Sequence, residues 1–438
     1  MMKADSFSVP PSHRWRVLAA GVAANAAFSV AFSGIPMTAV LMRTSYRLDN
    51  QTLGLVLGLM GLGIAVSELP WGLLTDRWGD RPVLLTGLGA TAAALLAMAT
   101  LAAPSAQQVP GLGWLGAGLL LVGLLGGSVN GASGRAVMGW FAEGERGFAM
   151  SIRQTAVPLG GAIGALLLPA VALRFGFAAM YGLLATSCAL SALLAWAWVH
   201  EPPPASPRAP AAAAAVEARA DGPLRDARVW RLVAGIGILC APQFAVLSFG
   251  TVFLHDFGHA GLATIAAAMT AVQVGAMAMR VWSGRWTDRR KNRPAYLRAC
   301  SLSSVLLFAA LAALAWGGDA AAGTSPALRV LLIGLLAASG ICVSAWHGVA
   351  YTELATLSGA ARAGTALGMA NTSVFLVCFV TPLSIPHLLA VQGWPLVWLA
   401  AACCAGVALP LLTATAGPAH PAGRAQAKAS NAALSRST

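Results

Sequence analysis

Apolar residues run through this 438-residue chain in long, nearly unbroken stretches, not at the spacing of a helix that buries one face only. A run of about 18 or more such residues is long enough to cross a ~30 Å hydrocarbon layer as a helix. Twelve spans are predicted, near 15–41, 52–75, 82–103, 112–139, 148–172, 176–199, 229–254, 262–287, 295–317, 327–351, 363–389 and 394–415. The pattern lapses twice. Residues 200–228 are Pro/Ala-rich and charged and read as a flexible linker, and 418–438 read as a disordered tail. The expected organisation is an N-terminal six-helix bundle over 1–199 and a C-terminal one over 229–417, all-α and integral to the membrane. Arg14 and Arg16 ahead of an Ala-rich run resemble a secretory signal, but that run continues to about Leu41, too long for one, so it reads as a retained first helix.

Composition agrees and charge adds orientation. Only 10% of residues are charged and 58% are hydrophobic, the balance of a polytopic membrane protein. The net charge of +13 sits mostly between spans, which argues for positive-inside topology and against nucleic acid as a partner. Lys and Arg are concentrated at the N-terminus, the linker, the tail and alternate loops, which places both termini in the cytoplasm of a cell bounded by an inner membrane. Arg43, Arg47 and Arg174 lie opposite. The seven cysteines form no C-x-x-C pair and mostly lie within spans, as small hydrophobes do. No metal-ligand set, no Ser/His/Asp arrangement and no G-x-x-x-x-G-K-S/T loop is present, so neither catalytic residues, nor metal, nor cofactor, nor bound nucleotide is expected. The chain is expected to act as a monomer.

One short sequence is written twice, half a chain apart. Gly72-Leu-Leu-Thr-Asp76-Arg77-Trp-Gly79-Asp-Arg81-Pro82 recurs as Gly284-Arg-Trp-Thr-Asp288-Arg289-Arg-Lys-Asn-Arg293-Pro294. Such spacing marks two related halves with the same charged hinge. Gly72 and Gly284 suit close helix packing, and Gly79 suits a turn costly to other residues. Asp76 and Asp288 suit a neighbouring helix N-terminus, and the arginines suit carbonyls or acids, so the loop reads as a cytoplasmic gate that holds the halves together.

This motif is similar to the hallmark loop of the major facilitator superfamily, closely at 72–81 and less so in the second copy, where Lys291 and Asn292 replace the glycine region. The resemblance covers essentially the whole chain. It implies two six-helix bundles, a cavity at mid-membrane and alternating access by rocking. Gly134-Arg135 through Trp140-Phe141 to Glu145-Arg146-Gly147 also resembles the fourth-helix signature of organophosphate and organic-anion members. Their deep arginines in the first and seventh helices are absent, with Asn25 and Gln243 in those spans. Arg153-Gln154-Thr155 through Pro158, Gly160, Gly161 and Gly164 loosely resembles an antiporter motif.

Ionisable groups within spans are costly and so are candidates for function. Glu68 and Arg280 stand at matching points of the second and eighth spans; Glu68 carries a coupling proton or pairs permanently with Arg135 or another base. Arg135 is a structural counter-ion or an anion contact, and Arg153 either snorkels or faces the cavity. Gln154 and Asn371 align when the fifth and eleventh spans are superposed and are expected to line the cavity with Asn25, Gln243 and His347. His255 and Asp256 end the seventh span, as gate or solvated loop. The reading is a secondary transporter, coupled to protons and carrying a small organic solute such as an organic anion. Proton-driven efflux of hydrophobic compounds and a transporter-like solute sensor are the alternatives.

Overall fold

The computed structural model describes residues 12–105, 107–141, 143–200, 223–317, 326–358 and 363–413. The expected tail over 418–438 lies outside the described residues, as does most of the expected linker. The described chain is built from helices α1 (His13–Gly34), α2 (Ala39–Ser45), α3 (Asn50–Trp78), α4 (Asp80–Leu101), α5 (Leu112–Gly126), α6 (Ser128–Trp140), α7 (Glu143–Gln154) and α8 (Ala156–Trp198). They are followed by α9 (Ala227–Asp256), α10 (Leu262–Arg290), α11 (Arg293–Gly317), α12 (Pro326–Val343), α13 (His347–Ser358), α14 (Ala363–Gln392) and α15 (Trp394–Thr413). A 3-10 turn, Ile35–Thr38, joins α1 to α2. Asp49 starts α3 as its cap, its Oδ1 accepting from the Thr52 backbone N at 2.8 Å.

Eleven helical stretches among the described residues are long and apolar enough to cross a membrane, where twelve were expected. The difference lies in one of them. Ile152–Trp198 runs for 47 residues, about 70 Å at the α-helical rise and more than twice the hydrocarbon thickness. It is interrupted at Gly176, whose φ of 80° and ψ of 173° belong to no helix. Its neighbours change there too. Gly160 and Gly164 lie against Ser29 and Gly34, so this part ascends alongside α1. Beyond the break, Phe177 meets Tyr46 at 5.2 Å, Ser191 Oγ donates to the Ala23 carbonyl at 3.2 Å, and Trp198 O lies 2.9 Å from His13 Nε2. The chain therefore turns back at Gly176.

These contacts define two faces. The terminal face carries His13, Trp140 and Trp198; Trp140 Nε1 donates to His200 O at 3.1 Å, and Arg81 Nη2 donates to Trp196 O at 2.7 Å. The far face carries Arg43, Tyr46 and Asp256.

The helices up to Trp198 pack mainly on one another, as do those from Ala227 onward. Three seams join the two sets: α3 on α14, α8 on α10, and the α1–α2 stretch on α9. The first is unusually close. A Cβ at Gly54, Gly58 or Gly61 would overlap backbone atoms of Pro382, Phe379 and Cys378 on α14, so these positions admit nothing larger than glycine without displacement. At the far face the third seam is shut by charge. Arg43 donates to both carboxylate oxygens of Asp256, with Nη2 to Oδ1 at 2.5 Å, while His255 Nδ1 lies 2.7 Å from Oδ1. Below that pair Phe32 packs on Phe244 and Phe375, at centroid distances of 5.6 and 5.7 Å, with Phe28 stacked behind it at 6.3 Å. Eleven residues of near-helical chain separate Phe32 from Arg43, about 16 Å.

The glycine seam makes a prediction with its own control. Gly54→Val should lower the melting temperature in detergent by several degrees, since overpacking costs about 1–3 kcal/mol. A Cβ at Gly72 meets nothing within 4 Å, so Gly72→Ala should leave melting unchanged or slightly raised.

Candidate functional site

The polar groups inside the bundle gather where α3 meets α14. Glu68 lies nearly three turns from the terminal end of α3, and its Oε1 accepts from Asn371 Nδ2 at 3.1 Å, a hydrogen bond between the two sets of helices. Asn371 Oδ1 in turn accepts from the Tyr351 hydroxyl at 2.9 Å. From the other side, the Asn130 side chain and the Arg153 guanidinium neighbour the same carboxylate. Arg153 is 3% exposed and donates to Ser133 Oγ at 2.9 Å and to Asn130 Oδ1 at 3.3 Å. One line of side chains thus runs from Ser133 and Arg153 through Asn130, Glu68 and Asn371 to Tyr351. Tyr351 donates to Asn371, Asn371 donates to Glu68, and Arg153 donates to Asn130. Their donors converge on the Glu68 carboxylate.

Glu68 Oε2 is buried with no hydrogen-bond partner, as is Arg153 Nε. In hydrocarbon such orphans are expensive, so the network is held with part of its bonding capacity unused.

Next to Tyr351 lies a second cationic group. Arg280 donates through Nε to Ser344 O at 3.3 Å, which is its one hydrogen bond among the described residues. His347 Nδ1 shares that carbonyl at 3.2 Å, and its ring stacks on Trp346 at 3.8 Å and 15°. The loop 344–346 separates α12 from α13 and supplies the free carbonyl that both residues use. Arg153 and Arg280 therefore flank the Glu68–Asn371–Tyr351 line from opposite halves of the chain.

Several expected placements change. Gln154 ends α7 with an exposed side chain and does not join Asn371. Its neighbour Arg153 points into the network instead. Asn25 is 3% and Gln243 8% exposed, each with one buried atom unpartnered, Nδ2 and Oε1 respectively, and neither reaches the Glu68 line. Arg135 does not pair with Glu68. It donates to Thr75 O at 2.6 Å and lies 3.5 Å from Asp80, at the terminal end of α3. Tyr351 and Ser133 had not been singled out; Tyr351 carries a weak signal, as one of four tyrosines in the chain and one turn from His347.

The doubled loops sit at the terminal face. Gly79 has φ 86°, the conformation expected of it. At the equivalent point Lys291 takes a left-handed φ of 50°, so the second copy keeps a positive-φ turn without the glycine, at a cost of about 1–2 kcal/mol. The side chain of Asp76 lies outside the described residues. The bonds described for the loops stay within one set of helices and do not bridge the two. Arg81 binds Trp196 O, while Arg293 reaches Asp288 at 3.2 Å, Thr356 Oγ1 at 3.3 Å and Glu353 at 4.0 Å. Arg77 and Arg289 are exposed. Gly72 and Gly284 have open space at their Cβ positions, so neither marks a close helix contact here.

Comparison with known proteins supplies the context. The family model described as Major Facilitator Superfamily matches residues 20–323. Two uncharacterized MFS-type transporters of Mycobacterium tuberculosis strains are 30% and 29% identical to the chain over 388 residues, covering 88% of it and 81% of each relative. Among solved structures, a D-xylose–proton symporter superposes with a TM-score of 0.72 at 15% identity, covering 91% of this chain and 97% of its own. A bacterial homologue of the human lysosomal transporter Spinster, inward-facing and unoccupied, gives 0.67 at 14% identity, covering 92% and 93%. At these identities the structures show a shared fold.

The network makes its own prediction. Asn371→Ala removes the amide that donates to Glu68 and strands the Tyr351 hydroxyl, a loss of about 1–3 kcal/mol. Melting should fall by several degrees, whereas Thr372→Ala at the exposed neighbouring position should not change it.

Proposed function

We propose that this chain, which belongs to the major facilitator superfamily, is a proton-coupled carrier of a small organic anion. On this reading Ile152–Trp198 counts as two crossings, which makes twelve spans and two six-helix halves. The terminal face is cytoplasmic, as the placement of Lys and Arg argues. With the far face shut by Arg43–Asp256 and the phenylalanine cluster, the conformation is one closed to the outside.

A single observation carries the coupling: the hydrogen bond from Asn371 to Glu68 crosses between the halves. A proton arriving on Glu68 has the unpartnered Oε2 to settle on, which leaves Oε1 a neutral and weaker acceptor for the Asn371 amide and loosens the seam. Proton loss restores the bond. Protonation and the relative position of the halves thereby bias one another, which is what coupled transport requires.

The anionic solute follows from charge. Arg153 and Arg280 face the line from either half with Glu68 the acid between them, and Arg280 spends one nitrogen on protein. A carboxylate taken up by Arg280 would neutralise the second cation. The phenylalanine cluster favours one alternative, proton-driven efflux of hydrophobic compounds, because it offers apolar surface beside the same network.

Proteoliposomes with an imposed pH gradient test the reading against a panel of carboxylates and lipophilic dyes. Glu68→Gln should reduce gradient-driven accumulation by more than tenfold while solute exchange continues. Accumulation that survives the substitution would remove Glu68 as the proton carrier. Arg280→Gln should raise KM for a carboxylate by about tenfold or more, the value of one charge-assisted contact; dye flux that is indifferent to Arg280 would favour the efflux reading.

A further inference from the structure

Along α10 runs a groove that the transport reading does not use. Its volume is about 860 Å³. Val281, Arg285 and Arg289 form one row along it, and Trp282, Trp286 and Arg290 form the next, each at four-residue steps so that all six share one helix face. Towards the middle of the span the lining is apolar. At the terminal end it is three guanidiniums and an aromatic pair, with Trp282 stacked on Trp286 at 5.8 Å and Arg290 lying over the Trp286 ring at 5.1 Å.

Nothing described in the protein neutralises this charge. Arg285 and Arg289 make no hydrogen bond or ion pair among the described residues, and no acid lines the groove. Asp288, next in sequence, is turned to Arg293 at 3.2 Å. Arginines that serve topology alone need only be at the right end of a span; these are aligned, with Arg290 over the Trp286 ring, and continuous with apolar surface. Trp282 is 51% exposed, and tryptophans are enriched where spans meet the membrane interface.

We propose that this groove binds an anionic phospholipid, with its phosphate held by Arg285, Arg289 and Arg290 and an acyl chain along Val281 and Trp282. Guanidinium forks match phosphate oxygens in geometry and charge, and a chain lying on Val281 remains in hydrocarbon. Thr155, the one lining residue from the other half, puts the occupant in contact with both halves at the α8–α10 seam. A lipid here bridges the very elements that rocking would separate.

The two tryptophans provide the readout. The full chain is reconstituted in phosphatidylcholine vesicles containing brominated-chain phosphatidylglycerol or brominated phosphatidylcholine, and tryptophan quenching is titrated. Phosphatidylglycerol should quench at about tenfold lower mole fraction, and this selectivity should approach unity in Arg285→Gln/Arg289→Gln/Arg290→Gln, each arginine being worth about fivefold near an anionic headgroup. The Lys triple at the same positions should keep most of it. Trp282→Phe/Trp286→Phe, which keeps every charge, should abolish the selective component. The proposal is overturned if the two lipids quench equally, if selectivity survives the Gln triple or the Phe pair, or if inorganic phosphate displaces it, which would mark a free-anion site.

Discussion

A polar group inside hydrocarbon must find its partner within the protein, because no water is there to supply one. That constraint organises this molecule more than any packing preference does. Between Ser133 and Tyr351 it strings six side chains from both halves into one line, and the line crosses the seam at a single amide–carboxylate bond. At the far face it brings together Arg43 and Asp256, two charges that would each be a liability alone. The seams are therefore tied by specific polar contacts set in a surface that is otherwise apolar and indifferent to register.

The three ties differ in kind. Arg43–Asp256 is a bidentate charged clasp near the interface, where water can compete for it. Glu68–Asn371 is deeper and carries one charge, so its strength depends on the protonation of one atom pair. The bonds described for the doubled loops, where latches between halves are expected, lie within each half, through Arg135 to Asp80 and Thr75 and through Arg293 to Asp288 and Glu353, and the Asp76 side chain lies outside the described residues. On the proposed transport reading, rocking needs rigid halves with few cross-ties, and bracing within a half suits it.

Much of this was legible in the chain. Apolar run length predicts the spans, and the repeated loop reveals the internal symmetry. Equal depths of Glu68 and Arg280 on matching spans single out both residues. What run length does not encode is which helix faces which. Arg43 looked like an orientation signal and Asp256 like a gate or a solvated loop residue, and only the fold joins them. Tyr351 and Ser133 passed unnoticed because a hydroxyl in a span is ordinary until a partner is known. Gln154 and Arg153 are neighbours on the same helix, yet a 100° turn separates a side chain in the network from one outside it. The span at Ile152–Trp198 was resolved as two by composition, whereas the backbone keeps it helical to within one residue of the reversal at Gly176.

The stripe of Gly54, Gly58 and Gly61 against α14 has a mechanical meaning. Side chains that interlock behave as gear teeth, and two helices meshed that way must climb over one another before they turn. Along this stripe α3 presents bare backbone, so its surface against α14 is smooth. Such a contact works as a bearing: it holds the shafts close together while adding little resistance to rotation. The friction of the machine is then set by the polar line two turns further on, where Glu68 meets Asn371.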